Sequence, residues 1–169
     1  MPAVVLFERM NEAQWMDEAF ALAEEAAAAG EIPIGAVMVD RQGRIIGRGR
    51  NRRESGDPLG HAELIAIAQA AEEIGDWRLE GTTMVVTLEP CAMCAGALVN
   101  ARVERLIFAA HDPKAGFCGS LGNLVQDSRL NHRLEVVAGF EEARARQMLQ
   151  GFFQGLRSRT SETERWQSG

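Results

Sequence analysis

The apolar positions change their spacing along the chain, and each change marks an element. Across residues 11–29, Trp15, Ala19, Leu22 and Ala26 recur at helical intervals, which predicts a first helix that Asn11 caps and Gly30 ends. Residues 34–39 and 45–49 are short apolar runs on either side of Asp40-Arg41-Gln42-Gly43, so they read as two strands joined by a hairpin-type turn. Residues 51–60 are crowded with Arg, Gly, Asp and Pro and read as a loop. Alanine-rich residues 61–74 form a second helix, and the β-branched run 82–88 a buried strand. Pro90 opens a third helix to about residue 101, and residues 103–109 give the next strand. Residues 111–122, rich in glycine around Pro113 and Lys114, form a second loop. A short strand at 134–137 and an amphipathic helix at 141–157 complete the series.

The order α-β-β-α-β-α-β-β-α constrains the architecture. Residues 82–109 form a βαβ unit, which implies parallel strands covered by helices, whereas the first hairpin is antiparallel. The expectation is an α/β fold of three layers, α/β/α, with a central mixed five-stranded sheet and helices on both faces. One domain spans residues 1–158, and 159–169 form a polar, flexible tail. Met16, Met38, Met84, Met93 and Met148 read as core fillers, and one of Phe152 and Phe153 belongs to the core.

Composition narrows the function classes. The chain has 169 residues with 46% hydrophobic and 25% charged positions, as in ordinary globular proteins. No apolar run reaches the length of a membrane span, and the N-terminal segment lacks the pattern of a signal peptide. A cytoplasmic protein is expected. There, a Cys-x-x-Cys pair points to metal binding or redox chemistry rather than a structural disulfide. The net charge of −6 repels polyanions at long range, so any nucleic-acid contact needs a local basic patch. Lys114 is the only lysine, and arginine suits bidentate phosphate contacts. Arg144, Arg146, Arg157 and Arg159 near the last helix are candidates, against the simpler reading of a solvated face. His132 is assigned no role.

The stretch TLEPCAMCAGAL carries the chemistry. Cys91 and Cys94 lie three apart at a helix start, on one side of the first turn, where the dipole favours thiolates. His61 also opens a helix after a turn-rich segment, and Glu63 follows it by two positions. Three protein ligands leave one position for water, as in catalytic zinc sites, and a carboxylate beside the metal can carry that water's proton. His61, Cys91 and Cys94 are therefore candidate zinc ligands, and Glu63 the candidate acid/base. A closed structural zinc with Cys118 or His111 as fourth ligand is the rival, and it would leave Glu63 without a task.

The pattern His61-Ala62-Glu63 followed by Pro90-Cys91-Ala92-Met93-Cys94 resembles the zinc-dependent nucleoside and nucleobase deaminases, whose H-x-E…P-C-x-x-C signature it matches. Further segments, including IPIGAVMVD, GRGRNRRE, DPKAG, GSLGNL and GFFQGLR, are similar to the bacterial tRNA adenosine deaminases from about Trp15 to Arg157. The resemblance implies a cytidine-deaminase-like fold and one Zn2+ per chain that activates a water against C6 of adenine. The substrate it implies is the wobble adenosine in the anticodon loop of an arginine tRNA, converted to inosine with release of ammonia. Glu63 would shuttle the proton, Asn51 would bond the flipped base, and Asp112 would meet a neighbouring nucleotide. A homodimer whose RNA site borrows from both subunits is implied as well. His111 stands where many relatives carry arginine. A free-base or nucleotide deaminase acting on cytosine, guanine or dCMP is the alternative, and a non-catalytic zinc-stabilised partner subunit a third reading.

Overall fold

A computed structural model describes residues 11–167. Five strands, β1 (Gly35–Val39), β2 (Ile45–Arg50), β3 (Thr83–Leu88), β4 (Arg105–Ala110) and β5 (Glu135–Ala138), form one sheet in the order β2-β1-β3-β4-β5. β1 is antiparallel to both β2 and β3, while β3, β4 and β5 run parallel. The mixed sheet expected from the hairpin and the βαβ unit is present. Only the structure reveals the antiparallel seam between β1 and β3 and the parallel docking of β5.

Helices α1 (Glu12–Ala28), α2 (Ala62–Ile74), α3 (Ala92–Asn100) and α4 (Glu142–Gln167) cover both faces. Alternate strand residues serve two cores. Ala36, Met38, Met84, Val86, Leu106 and Phe108 point toward α2 and α3. Val37, Val39, Val85, Ile107 and Ala109 point toward α1 and α4. This double burial explains why β1, β3 and β4 read as continuous apolar runs rather than alternating ones.

Close backbone approach fixes α2 on the sheet. Gly47 and Gly49 alternate on β2, facing the helix; a Cβ on Gly49 would fall 2.0 Å from the Ala62 carbonyl oxygen, and one on Gly47 2.2 Å from that of Ala66. Ala62, Ala66 and Ala70, spaced by four, are the buried stripe that meets them. Small residues on both sides thus set the height of the α2 N-terminus above the sheet, and with it the position of His61 and Glu63.

Asn11 caps α1 in a reciprocal box with Gln14. The buried stripe of α1 is Met16, Ala19, Phe20, Ala23 and Ala26, with Trp15 and Leu22 half-buried at its borders; the helical period centres the stripe one residue away from the expected one. Helix α3 starts at Ala92 rather than Pro90, because Cys91 is still extended and bridges to Gly116. Helix α4 continues ten residues past Arg157 to Gln167, through a segment that holds neither Gly nor Pro. Neither Phe152 nor Phe153 reaches the buried core: Phe152 is half-buried and Phe153 is 41% exposed. Met16, Met38 and Met84 are fully buried, and Met93 and Met148 partly so.

Candidate active site and metal centre

His61 and Cys91 occupy equivalent places, as the extended N-cap residues of α2 and α3, and neither side chain caps its own helix. They turn toward each other instead. His61 Nδ1 lies 3.5 Å from the sulfurs of both Cys91 and Cys94. An ion bound tetrahedrally at ~2.3 Å from sulfur and ~2.1 Å from nitrogen holds such ligands about 3.6 Å apart. The three ligand atoms lie within 4.8 Å of one another and can hold a metal ion. Among the described residues no fourth His, Cys, Asp or Glu joins them. Cys118, buried, directs its thiol to the Pro90 carbonyl, and His111 pairs with Glu142, so the closed four-ligand alternative finds no support.

Glu63, on the first turn of α2, is 5% exposed, and its Oε2 accepts from Cys94 Sγ at 3.6 Å. Burial pushes its carboxyl up to about 7. The hydrogen bond from Cys94 pulls the Cys91 thiol down to about 4 and raises Cys94 in return, while Cys91 raises His61. Two helix N-termini converge on this cluster, and their dipoles favour the thiolates that a cation requires.

His61, Glu63 and Cys91 form the floor of a cavity of about 360 Å3, a size that suits a small aromatic ligand. Its walls come from the loops after β2 and β4 and from Leu149 and Phe153 of α4. Asn51 is 5% exposed and lines the cavity; its Nδ2 donates to the Ile32 carbonyl (3.4 Å) and its Oδ1 accepts from the Arg53 N–H (3.2 Å). Its turn-forming role is therefore real, and one amide hydrogen remains for a ligand. Asp112 also lines the cavity and opens a turn, with Oδ1 accepting from the N–H groups of Lys114 (3.0 Å) and Ala115 (3.2 Å). All six residues singled out in the sequence thus meet at one site, five of them on the cavity wall and Cys94 behind it.

These features have counterparts in known proteins. The family described as MafB19-like deaminase matches residues 10–157. The tRNA-specific adenosine deaminase of Bacillus subtilis (strain 168) is 49% identical over 146 residues, 86% of this chain and 90% of that protein. The chain belongs to the tRNA-specific adenosine deaminases, within the cytidine deaminase-like superfamily. A solved tRNA:A34 deaminase, studied for A-to-I editing at the wobble position of transfer RNA, superposes with a TM-score of 0.77 and 40% identity, covering 81% of this chain and 99% of that one. A guanine deaminase from Nitrosomonas europaea shares the fold, with a TM-score of 0.73 at 23% identity over 84% of each chain. The fold expectation stands, and the fold does not separate a tRNA adenosine deaminase from enzymes acting on free purines.

Two buried acids escaped the sequence reading of this deaminase. Glu31 is 4% exposed and accepts from the N–H groups of Glu54 (2.9 Å) and Ser55 (3.0 Å), tying down the loop that follows Asn51. Glu89 is 2% exposed and does the same for the loop that carries Asp112. Burial pushes the Glu89 carboxyl up, but the hydrogen bonds from Ser120, Asp112 and Cys118 outweigh it and hold it below the usual carboxylate range. Their backbone partners lie far along the chain and leave no local pattern. The arginines near α4 divide. Arg144 pairs with Asp17 of α1 at 2.6 Å and packs on the Phe20 ring, and Arg146 pairs with Glu142 at 2.7 Å. Arg157 and Lys114 instead line a second, open groove that runs on from the cavity along α4. His132 bonds the Val103 carbonyl at 2.7 Å. No helix among the described residues is long and apolar enough to cross a membrane.

Proposed function

We propose that the protein is a zinc-dependent hydrolytic deaminase that converts the wobble adenosine of a tRNA, an arginine tRNA in the first instance, to inosine. The observation that carries this reading is the set of His61, Cys91 and Cys94 at metal-ligand spacing, with the buried Glu63 carboxyl beside it on the floor of a base-sized cavity. Two thiolates and one imidazole are the donor set of a catalytic zinc, and the ion bound there supplies Lewis-acid activation of a water at neutral pH.

The chain's own residues do the rest. Glu63, poised near neutrality by burial, takes one proton of the attacking water on a carboxylate oxygen and passes it to the ring nitrogen of adenine, then carries the second, from the new C6 hydroxyl, to the amine, which departs as ammonia. Asn51 offers its remaining amide hydrogen to the inserted base. The apolar side chains of Ile32, Leu88 and Leu149 exclude water from the ring. Asp112, beside the exposed Lys114 at the cavity mouth, meets the adjoining nucleotide. In a single-stranded anticodon loop the base enters the pocket with little unstacking cost. Lys114 and Arg157 in the adjoining groove provide the local positive charge that an acidic protein needs against RNA.

The outward face of α3 presents partly exposed Met93, Gly96 and Ala97, all apolar and the last two small enough for close helix contact, and this supports pairing with a second copy. The reading puts the enzyme in the cytoplasm, with its tRNA. A deamination assay on a zinc-replete sample tests it. Inosine is expected in an anticodon stem-loop with adenosine at the wobble position, and no ammonia from free adenosine, cytidine, cytosine or guanine. Product from free bases alone would keep the metal chemistry and discard the RNA substrate.

A further inference from the structure

We propose that Glu89 is a positioning residue for substrate recognition, whose carboxylate holds the loop bearing Asp112 against the metal-ligand turn at Cys91; this rests on the reading of Asp112 as a nucleotide contact. Glu89 directly follows β3, and its own N–H donates to the Ala110 carbonyl at 2.8 Å, so its backbone is fixed by the sheet. Its side chain then collects both ends of the loop. Oε1 accepts from the Asp112 N–H at 3.1 Å and from the Ser120 hydroxyl; Oε2 accepts from the N–H groups of Cys118 and Ser120, each at 3.1 Å.

Three of the four donors are backbone N–H groups that cannot accept, so an amide of the same shape would turn at least one hydrogen of its own toward an N–H, even with the Ser120 hydroxyl rotated to accept the other. The hub also joins the loop to the ligand turn. Phe117 N–H donates to the Pro90 carbonyl at 2.9 Å, and Gly116 bridges to Cys91. Gly116 packs so closely on the hub that a Cβ there would lie 2.3 Å from Glu89 Cδ and Oε2 and 2.6 Å from the Asp112 carbonyl oxygen. Both oxygens of Glu89 are occupied by protein donors, so it acts through Asp112 and its neighbours Pro113, Lys114 and Ala115, which form the cavity wall.

The test uses the metal-loaded protein and its variants Glu89→Gln, Gly116→Ala and Ser120→Ala. In Glu89→Gln and Gly116→Ala, the amides of Asp112, Cys118 and Ser120 are expected to lose hydrogen-exchange protection by about tenfold or more, while those of Val86 and Phe108 in the sheet stay protected and metal content stays unchanged. KM for the stem-loop is expected to rise about tenfold with kcat altered less than about threefold, and Ser120→Ala to move both readouts the same way by less. In an Asp112→Ala background, Glu89→Gln should add little, since the two act in series. Unchanged exchange, loss of protection across the whole sheet, a fall in kcat at constant KM, or additive effects with Asp112→Ala would each overturn the assignment. Should Glu89→Gln fail to fold, Ser120→Ala decides. Hydrogen exchange needs no substrate, so a wild-type protein inactive on the stem-loop would refute the tRNA reading while the exchange data still judge Glu89.

Discussion

The metal centre and the substrate loops are built by different means. His61, Glu63, Cys91 and Cys94 sit on the caps and first turns of two helices packed on one face of the sheet, and their placement follows from helix geometry and glycine–alanine contact. Asn51 and Asp112 sit on irregular segments whose backbone N–H groups are gathered by two buried carboxylates, Glu31 and Glu89. Groups proposed to hold a metal and move a proton, which needs placement within tenths of an ångström, are on rigid elements. Groups proposed to select the substrate are on loops, where sequence can vary without disturbing the chemistry.

Removing a metal ligand should break the first region completely: His61→Ala, or exhaustive chelation, is expected to abolish both bound metal and deamination, read by metal analysis beside the activity assay. Glu63→Ala separates proton transfer from metal binding. It should lower kcat by about 10²–10⁴-fold while the metal remains, and an active variant would remove Glu63 from the mechanism. Gly49→Ala probes the scaffold instead of the chemistry. A methyl group driven toward the Ala62 carbonyl should cost about 1–3 kcal/mol in denaturant titration and displace the first turn of α2. If stability is untouched, close packing does not set the height of that helix.

The loops should respond more mildly. Glu31→Gln leaves one of two backbone donors facing an amide and should raise KM roughly threefold to tenfold with metal and kcat preserved; a primary loss of kcat would merge the two regions into one. The smallest effect concerns Glu142, which pairs with Arg146 and His111 at the cavity rim and is lowered by them from its ordinary value of 4.5 to about 2. A depressed carboxylate stabilises the fold above its unfolded value and loses that contribution as pH falls through its folded one. The difference in Tm between wild type and Glu142→Gln should therefore be about a degree or two near pH 6, shrink between pH ~5 and ~2, and fade at high salt.

Much of the metal region was legible in the sequence because its determinants are local. Two helix starts, a Cys-x-x-Cys and a His-x-Glu each announce themselves within a few residues. The loops were less legible for the opposite reason. Glu89 meets partners 23 to 31 positions away, and Glu31 partners 23 and 24 positions away, so no short pattern marks either acid as buried. Phe153 shows the same limit: two adjacent phenylalanines on a helix suggested core, but the α4 stripe that packs on the sheet passes through Ala145 and Met148, leaving Phe153 for the cavity rim.

The sequence by itself therefore determined the elements, their α/β alternation, the candidate metal ligands as a set and the family, since periodicity, capping and short motifs act over one or two turns of chain. Only the tertiary structure decided that β1 pairs with β3, that His61 meets both sulfurs at 3.5 Å, and that two buried carboxylates hold the pocket's walls. These depend on which distant segments share a sheet edge and which polar groups lose water together, and both are properties of the packed chain.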